Sequence, residues 1–449
     1  MKKIIGALTG LVLSLLLVGC GNSTNKSSNT GGTEKKRVEN AQLKVYAPKG
    51  KNTDWLSGVV KEYNKKYSTK ISLKTTDVAP TAITQKLTPL LIGNEILPDI
   101  SFIQDSDITG LLDKFPTSFE NLTKDGYEKK FSKGIYATKL SSLKATAPNN
   151  SLFGFPQDLG MVMMFYRQDI FEKAGIDPEK ITDWDELINA GKKIKEKTGK
   201  DLLALDANGE TSLVTQIMQQ QGTPLIDKKG KFNLNSQAAK NALNIVDKLK
   251  QSKTVSYYSS DKDRYPSFQD SAVIIEGTWL AGNMAVNYPK QTGLWRMRTI
   301  VGYSKANPGK NPVNGGSSWY IGANSKNKAA ALQLMEFAVK DSKSQQDLLK
   351  RGSASASVAA YSTSAGKEGL DYFGGQKIYD QVQKAGNNAI EVYQYPYVSD
   401  AGNYLKMAVF DYWQGKNMND SLKKQTDQFN QKYALPNCQI KCNTTDLFL

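Results

Sequence analysis

Between residues 42 and 103 the hydrophobic pattern switches period four times, and that alternation restricts the fold more than any other feature. Residues 42–47 alternate polar and apolar, with Leu43 and Val45 on one side, as a half-buried strand does. Trp55, Leu56, Val59, Val60 and Tyr63 then recur at helical spacing. Residues 70–74 alternate again through Ile71 and Leu73, Ile83, Leu87, Leu90 and Leu91 mark a second helix, and residues 98–103 read as a third strand. Strands separated by helices need crossover connections, so the sheet is expected to be parallel and covered on both faces.

The same grammar continues downstream. Residues 161–166 form an unbroken apolar run suited to a fully buried strand, and residues 169–174 form a short helix stopped by Gly175. Thr182 or Asp183 caps the next helix, Glu186 is placed to reach back, and Trp184, Leu187, Ile188 and Ile194 share a face up to Gly199. Residues 272–275 and 317–322 read as strands. A helix follows residues 324–327 with Ala331, Leu334, Met335 and Ala338 in one stripe, and residues 404–433 are helical with a break near Gly415. There is no internal repeat. A chain of 449 residues is long enough for two lobes rather than one core.

The first twenty residues have a separate purpose. Lys2 and Lys3 precede an apolar run, residues 4–18, broken only by Gly6, Thr9, Gly10 and Ser14. A segment this short with basic residues before it reads as an export signal, not a spanning helix. Its end, Leu17-Val18-Gly19-Cys20, resembles the bacterial lipoprotein cleavage box, which implies cleavage before Cys20 and acylation of its sulfur. Several acyl chains anchor stably where one would be marginal. Residues 20–40 hold no apolar residue but Val38 beyond that cysteine, and are expected to act as a flexible tether reaching on the order of 25 Å.

Charge and rare residues narrow the chemistry. The net charge is +16, but the lysines are scattered along the whole chain, as in Lys192-Lys193 and Lys423-Lys424. No nucleic-acid module appears, so the basic balance reads as a solvated surface above an anionic envelope. With His 0 in the composition, the usual general base and the commonest metal ligand are absent. Triads built on histidine and histidine-containing zinc sites are excluded, and no cofactor or metal is expected. Cys438 and Cys442 can close a small disulfide loop or stay a loose pair.

Four segments in order resemble the extracellular solute-binding proteins of carbohydrate ABC importers, the maltose-binding-like group. They are Met164-Phe165-Tyr166-Arg167-Gln168-Asp169-Ile170-Phe171-Glu172-Lys173-Ala174-Gly175-Ile176, then Thr182-Asp183-Trp184-Asp185-Glu186-Leu187, then Gly277-Thr278-Trp279, and lastly Gly315-Gly316-Ser317-Ser318 with Asn324-Ser325-Lys326-Asn327. The resemblance runs from about Leu43 to Leu435. It implies an α/β, two-lobed fold of the periplasmic-binding-protein type, each lobe a mainly parallel sheet flanked by helices, with a hinge of three crossings. The expected division is a signal peptide at 1–19, lipidated cysteine and linker at 20–40, one lobe from 41–156 and 320–352, the other from 157–319 and 353–435, and a tail at 436–449. Crossings are expected near Phe155-Pro156-Gln157, near 314–319 and after about Gly352, where Pro156, Gly315 and Gly316 let the backbone bend.

Ligands in open α/β sheets sit beyond the carboxyl ends of strands, and sugars need flat aromatics for their C–H faces and carboxylates or amides for their hydroxyls. Trp279, with Glu276 beside it, follows the 272–275 strand, and the resemblance places it at a sugar-stacking position; a core tryptophan is the competing account. Trp319 and Gly316 lie in the second crossing, where Trp319 serves either ligand or hinge packing. Asp158 follows the first crossing and is either a hydroxyl acceptor or an exposed hinge carboxylate. Gln104, Asp105 and Asp107 follow the third strand and either face the cleft or cap a helix. Tyr397, in the aromatic run 393–397, resembles a late cleft-lining residue. Trp55, Trp184 and Trp413 read as structural. The expected function is capture of a carbohydrate, an oligosaccharide first of all, and delivery to the membrane permease subunits of an ABC importer. The receptor is expected to be monomeric, lipid-anchored on the outer face of the cell membrane, and free of nucleic-acid partners. A non-sugar solute and a secreted carbohydrate-active enzyme working through two carboxylates are the alternatives.

Overall fold

Local sequence rules set the helix ends. The Asp183 carboxylate accepts the Glu186 N–H at 2.9 Å, while the Glu186 carboxylate accepts from the Thr182 N–H at 2.7 Å and its hydroxyl at 2.8 Å. The helix Trp184–Thr198 that starts there buries Trp184, Leu187, Ile188 and Ile194, and ends on Gly199 at φ 73°. Helix Gln168–Ala174 ends the same way on Gly175 at φ 65°. The computed structural model describes residues 37–433. The signal segment 1–19, Cys20, linker residues up to 36, and the tail 436–449 with Cys438 and Cys442 lie outside the described residues.

The strands are β1 Asn40–Ala47, β2 Lys70–Asp77, β3 Ile100–Gln104, β4 Gly154–Pro156, β5 Val162–Arg167, β6 Leu203–Asp206, β7 Val255–Tyr258, β8 Val273–Gly277, β9 Trp295–Thr299 and β10 Ser317–Ile321. One sheet has the order β2-β1-β3-β10-β4, a second β8-β5-β9, and β6 pairs with β7. The β6 strand continues toward the second sheet, since the Val273 N–H donates to the Leu202 carbonyl at 2.7 Å. Leu43, Val45 and Ala47 of β1 bury against Trp55, Leu56, Val59, Val60 and Tyr63 of helix Lys51–Tyr67. Val162, Met164 and Tyr166 of β5 bury with helix Trp184–Thr198 in a separate core.

Two lobes are present, but their sheets are less parallel than the alternation suggests. β1, β2 and β3 are parallel, whereas β10 runs antiparallel to both β3 and β4. In the second sheet β5 is antiparallel to β8 and β9. The cause is the hinge. β5 and β10 each begin at a crossing and run away from it, while β3, β4, β8 and β9 run toward it. Helical crossovers enforce parallel pairing only between strands of one lobe that they connect directly.

Segments 157–161, 300–316 and 350–357 run side by side between the sheets. The Gln157 N–H donates to Ser317 O at 3.1 Å, Asn314 N–H to Gly160 O at 2.6 Å, Leu159 N–H to Ala354 O at 2.8 Å and Ala356 N–H to Gln157 O at 2.9 Å. Backbones approach so closely that a Cβ on Gly160 would lie 2.4 Å from Gly315 O, which only glycine avoids. Farther on, helix Ile378–Asn387 packs on β9, and helix Val398–Trp413 packs on helix Thr211–Gln220. Asn417 caps the last helix, Met418–Lys432, after the break around Gly415. Among the described residues no helix is long and apolar enough to cross a membrane.

Candidate ligand-binding site

The carboxyl ends of β1, β3, β6 and β8 converge on the three crossings, and polar side chains gather there. On the first lobe, β3 hands over at Gln104 to helix Asp105–Lys114. Asp105 is buried; its carboxylate accepts from the Ser318 hydroxyl at 2.9 Å and from the Lys139 ammonium, which also donates to Ser317 O at 3.1 Å. The Asp105 N–H donates to Gly316 O at 3.0 Å. Gly316 has φ 109°, and a Cβ there would come within 2.8 Å of the Asp105 carboxylate and 3.2 Å of the Lys139 nitrogen. Thus Gly316 is a place where the chain must turn tightly around an ion pair. Gln104 is half-buried and opposite Ser317 in register.

Asp158 is buried in the first crossing, with its Oδ1 accepting the Ser317 N–H at 2.7 Å. Burial pushes its carboxyl above the ordinary 3.8, against the pull of Lys139 and Lys51. The folded chain therefore takes up this proton before the unfolded chain does, and that contribution to stability is lost as pH rises from 3.8 through the raised value. Asp158→Asn removes the effect while keeping an acceptor for Ser317. Measured by urea unfolding across that interval, the stability difference is expected to shift in the variant's favour as pH climbs; a difference independent of pH would contradict it. Asp107 is likewise raised by burial, and accepts from the Ser106 hydroxyl at 3.1 Å.

On the second lobe, Trp279 follows β8 and leads into helix Leu280–Asn287. Its ring is half-buried, with the indole edge over Gly277 and Gly315; a Cβ at Gly277 would lie 2.4 Å from Nε1. Glu276 is buried and fully engaged: Oε1 accepts from Arg264 and Oε2 from the Asn314 side-chain amide at 2.9 Å. It organises a half-buried arginine and a crossing amide rather than presenting a free carboxylate. Glu210, raised by burial, accepts the Leu213 and Asp206 N–H groups at 2.9 Å each and so shapes the loop leading into helix Thr211–Gln220. Across the junction the Lys51 ammonium, from the first turn of the first lobe's helix, donates to Trp279 O at 3.2 Å. Burial lowers the Lys51 pKa and Asp158 opposes the shift.

Of the two readings of Trp319 the structure favours hinge packing, and the reading of Tyr397 as cleft-lining is corrected. Trp319 is 0% exposed: it stacks on Trp55 at 5.9 Å, meets Phe102 edge-on at 4.9 Å, and donates to Gln157 Oε1. A strand buried on both faces leaves no route from this ring to a ligand, so Trp319 packs the core and holds the first crossing. Tyr397 packs within its own lobe, its hydroxyl donating to Gly230 O at 3.0 Å and its ring stacked on Tyr395 at 5.2 Å. Lys51, Lys139 and Arg264 carry no mark in the sequence, and Asn314 is marked only as the start of a crossing, not as a partner of Glu276. Lysines at 51 and 139 look like any other among 59 basic residues, and only the tertiary fold buries them. Trp55 and Trp184 are core residues, and Trp413 packs half-buried against the second core under the Lys250 ammonium.

Two α/β lobes, three crossings, and aromatic and charged groups gathered where strands end define a two-lobed ligand-binding protein. A family model described as bacterial extracellular solute-binding protein matches residues 49–344, and the chain belongs to that family. It is similar to a lactose-binding protein of Rhizobium radiobacter, 31% identical over 333 residues that cover 72% of this chain and 77% of the relative. An arabinooligosaccharide-binding protein of Bacillus subtilis (strain 168) is 26% identical over 345 residues, 75% of this chain and 76% of the relative. Among solved structures, the fold matches the GacH receptor of Streptomyces glaucescens with a TM-score of 0.73 at 16% identity, covering 88% of this chain and 98% of that one. It also matches a transporter-associated binding protein of B. animalis subsp. lactis Bl-04 in complex with beta-1,6-galactobiose, with a TM-score of 0.68 at 21% identity over 87% and 97% of the two chains.

Proposed function

We propose that the chain captures an oligosaccharide between its lobes and delivers it to the permease of an ABC importer, held at the outer face of the membrane by acylated Cys20. The observation that carries the reading is Trp279. It is a partly buried ring at the carboxyl end of β8 with its indole edge at the Gly277 and Gly315 crossing, and with Lys51, Arg264 and Asn314 nearby to meet hydroxyls. The lactose- and arabinooligosaccharide-binding relatives support a sugar as the class of solute. Ligand that touches both lobes favours their closed arrangement, the hinge motion by which such receptors signal occupancy. Asp158, Asp105 and Gly316 act here by holding the crossings in register, Gln104 by leading into the junction.

The role is binding without turnover. Incubation with neutral di- and oligosaccharides is expected to raise the thermal midpoint with at least one of them and to release no new reducing ends. Steady release of reducing sugar would make the chain an enzyme instead.

A further inference from the structure

Away from Trp279, a second opening lies between the lobes with a volume of about 600 Å³, within the range of ligand pockets. One wall comes from the first lobe, helices Glu128–Phe131 and Ala137–Ala145 with the turns after them; the other is Lys228 and Tyr393 of the second. The walls meet beside it, where the Thr146 hydroxyl donates to Gln394 O at 2.7 Å. The opening therefore depends on how the lobes close.

Its lining is unusual in charge. Lys133 from one lobe and Lys228 from the other are exposed, and among the described residues neither lies within ion-pair distance of a carboxylate. Lys144 is paired with Glu128 at 2.6 Å, and the other Glu128 oxygen takes the Thr123 hydroxyl, so the acid in the lining is already satisfied. Behind the second wall, the Asp227 carboxylate accepts the N–H groups of Lys229 and Lys231 at 2.8 and 3.0 Å, committed to its own turn. Tyr393 is half-buried, and its hydroxyl donates to Glu391 at 2.8 Å. With the hydroxyl occupied there, the ring is what it offers to the opening. Two ammonium groups without a carboxylate partner, one from each wall, with an aromatic ring and neutral hydroxyl and amide groups, suit a sugar ring that carries negative charge.

We propose that this opening is a second subsite, which takes a carboxylate-bearing residue of a glycan between Lys133 and Lys228 and so selects acidic over neutral oligosaccharides. The inference rests on the sugar reading of the protein and deepens it. Because the two ammonium groups belong to different lobes, a carboxylate between them also favours closure.

The test is calorimetry on the full chain with matched probes: neutral oligosaccharides and the separated mono-carboxylates made from each by oxidising one primary hydroxyl. A mono-carboxylate is expected to bind about tenfold tighter than its neutral parent, with the advantage shrinking as salt rises. In Lys133→Ala/Lys228→Ala the advantage is expected to vanish while the neutral parent binds as before; both positions are exposed, and thermal melting checks that the variant folds. Neutral sugars that bind as well as or better than every carboxylate would overturn the subsite and leave the sugar reading standing. Failure of every probe would overturn both.

Discussion

Lys139→Ala is expected to lower the unfolding free energy by about 3–5 kcal/mol. Lys139 and Asp105 have side chains only 5% and 6% exposed. The ammonium serves Asp105 and Ser317 O together, tying helix Asp105–Lys114 to the start of β10. Alanine leaves a buried carboxylate with one remaining side-chain donor, the Ser318 hydroxyl. Most of the loss comes from that stranded charge rather than from the bond itself. The double variant Lys139→Met/Asp105→Asn is therefore expected to recover much of it. Urea unfolding with the midpoint and slope read together is the measurement. A loss below about 1 kcal/mol for Lys139→Ala would mean that Asp105 finds water or another partner, and the buried pair would not be what organises the hinge.

Trp279→Ala is expected to weaken sugar binding by about 2 kcal/mol, roughly thirtyfold, with little change in stability. The ring is partly buried at a strand end and packs on the margin of the first core, so truncation removes surface at the core's edge rather than opening an enclosed cavity. Trp319→Phe supplies the contrast. That ring is sealed between Trp55 and Phe102, and its loss of the Gln157 bond is expected to lower stability while the affinity stays nearly unchanged. If the two variants exchange these phenotypes, the assignment of Trp279 to ligand and Trp319 to core is wrong.

The contrast between those two tryptophans also shows how far the sequence reaches. Both follow small residues at a strand boundary, and the linear pattern leaves a packing role open for each. What separates them is which face of the sheet is covered, a property of helices far away in the chain. Elements whose cause is local were legible: helix Trp184–Thr198 carries its own cap, its own apolar stripe and its own glycine stop. The parallel start, β1 to β3, was legible for the same reason, since each crossover helix lies between the strands it joins. The antiparallel placement of β5 and β10 was not, because it follows from where the chain passes between lobes. At the site, Asp105, Asp158, Gly316 and Glu276 could be nominated as residues after strands, but not given partners. Lys51 and Lys139 could not be nominated at all, since burial alone distinguishes them from the solvated lysines.

The proposed function requires the junction between the lobes to bind an oligosaccharide reversibly. Isothermal titration calorimetry of the native chain against a panel of di- and oligosaccharides tests it most directly. One-to-one binding of at least one glycan is expected, with a dissociation constant on the order of micromolar, about −8 kcal/mol. Absence of binding heat across the panel, neutral and acidic members alike, would contradict it.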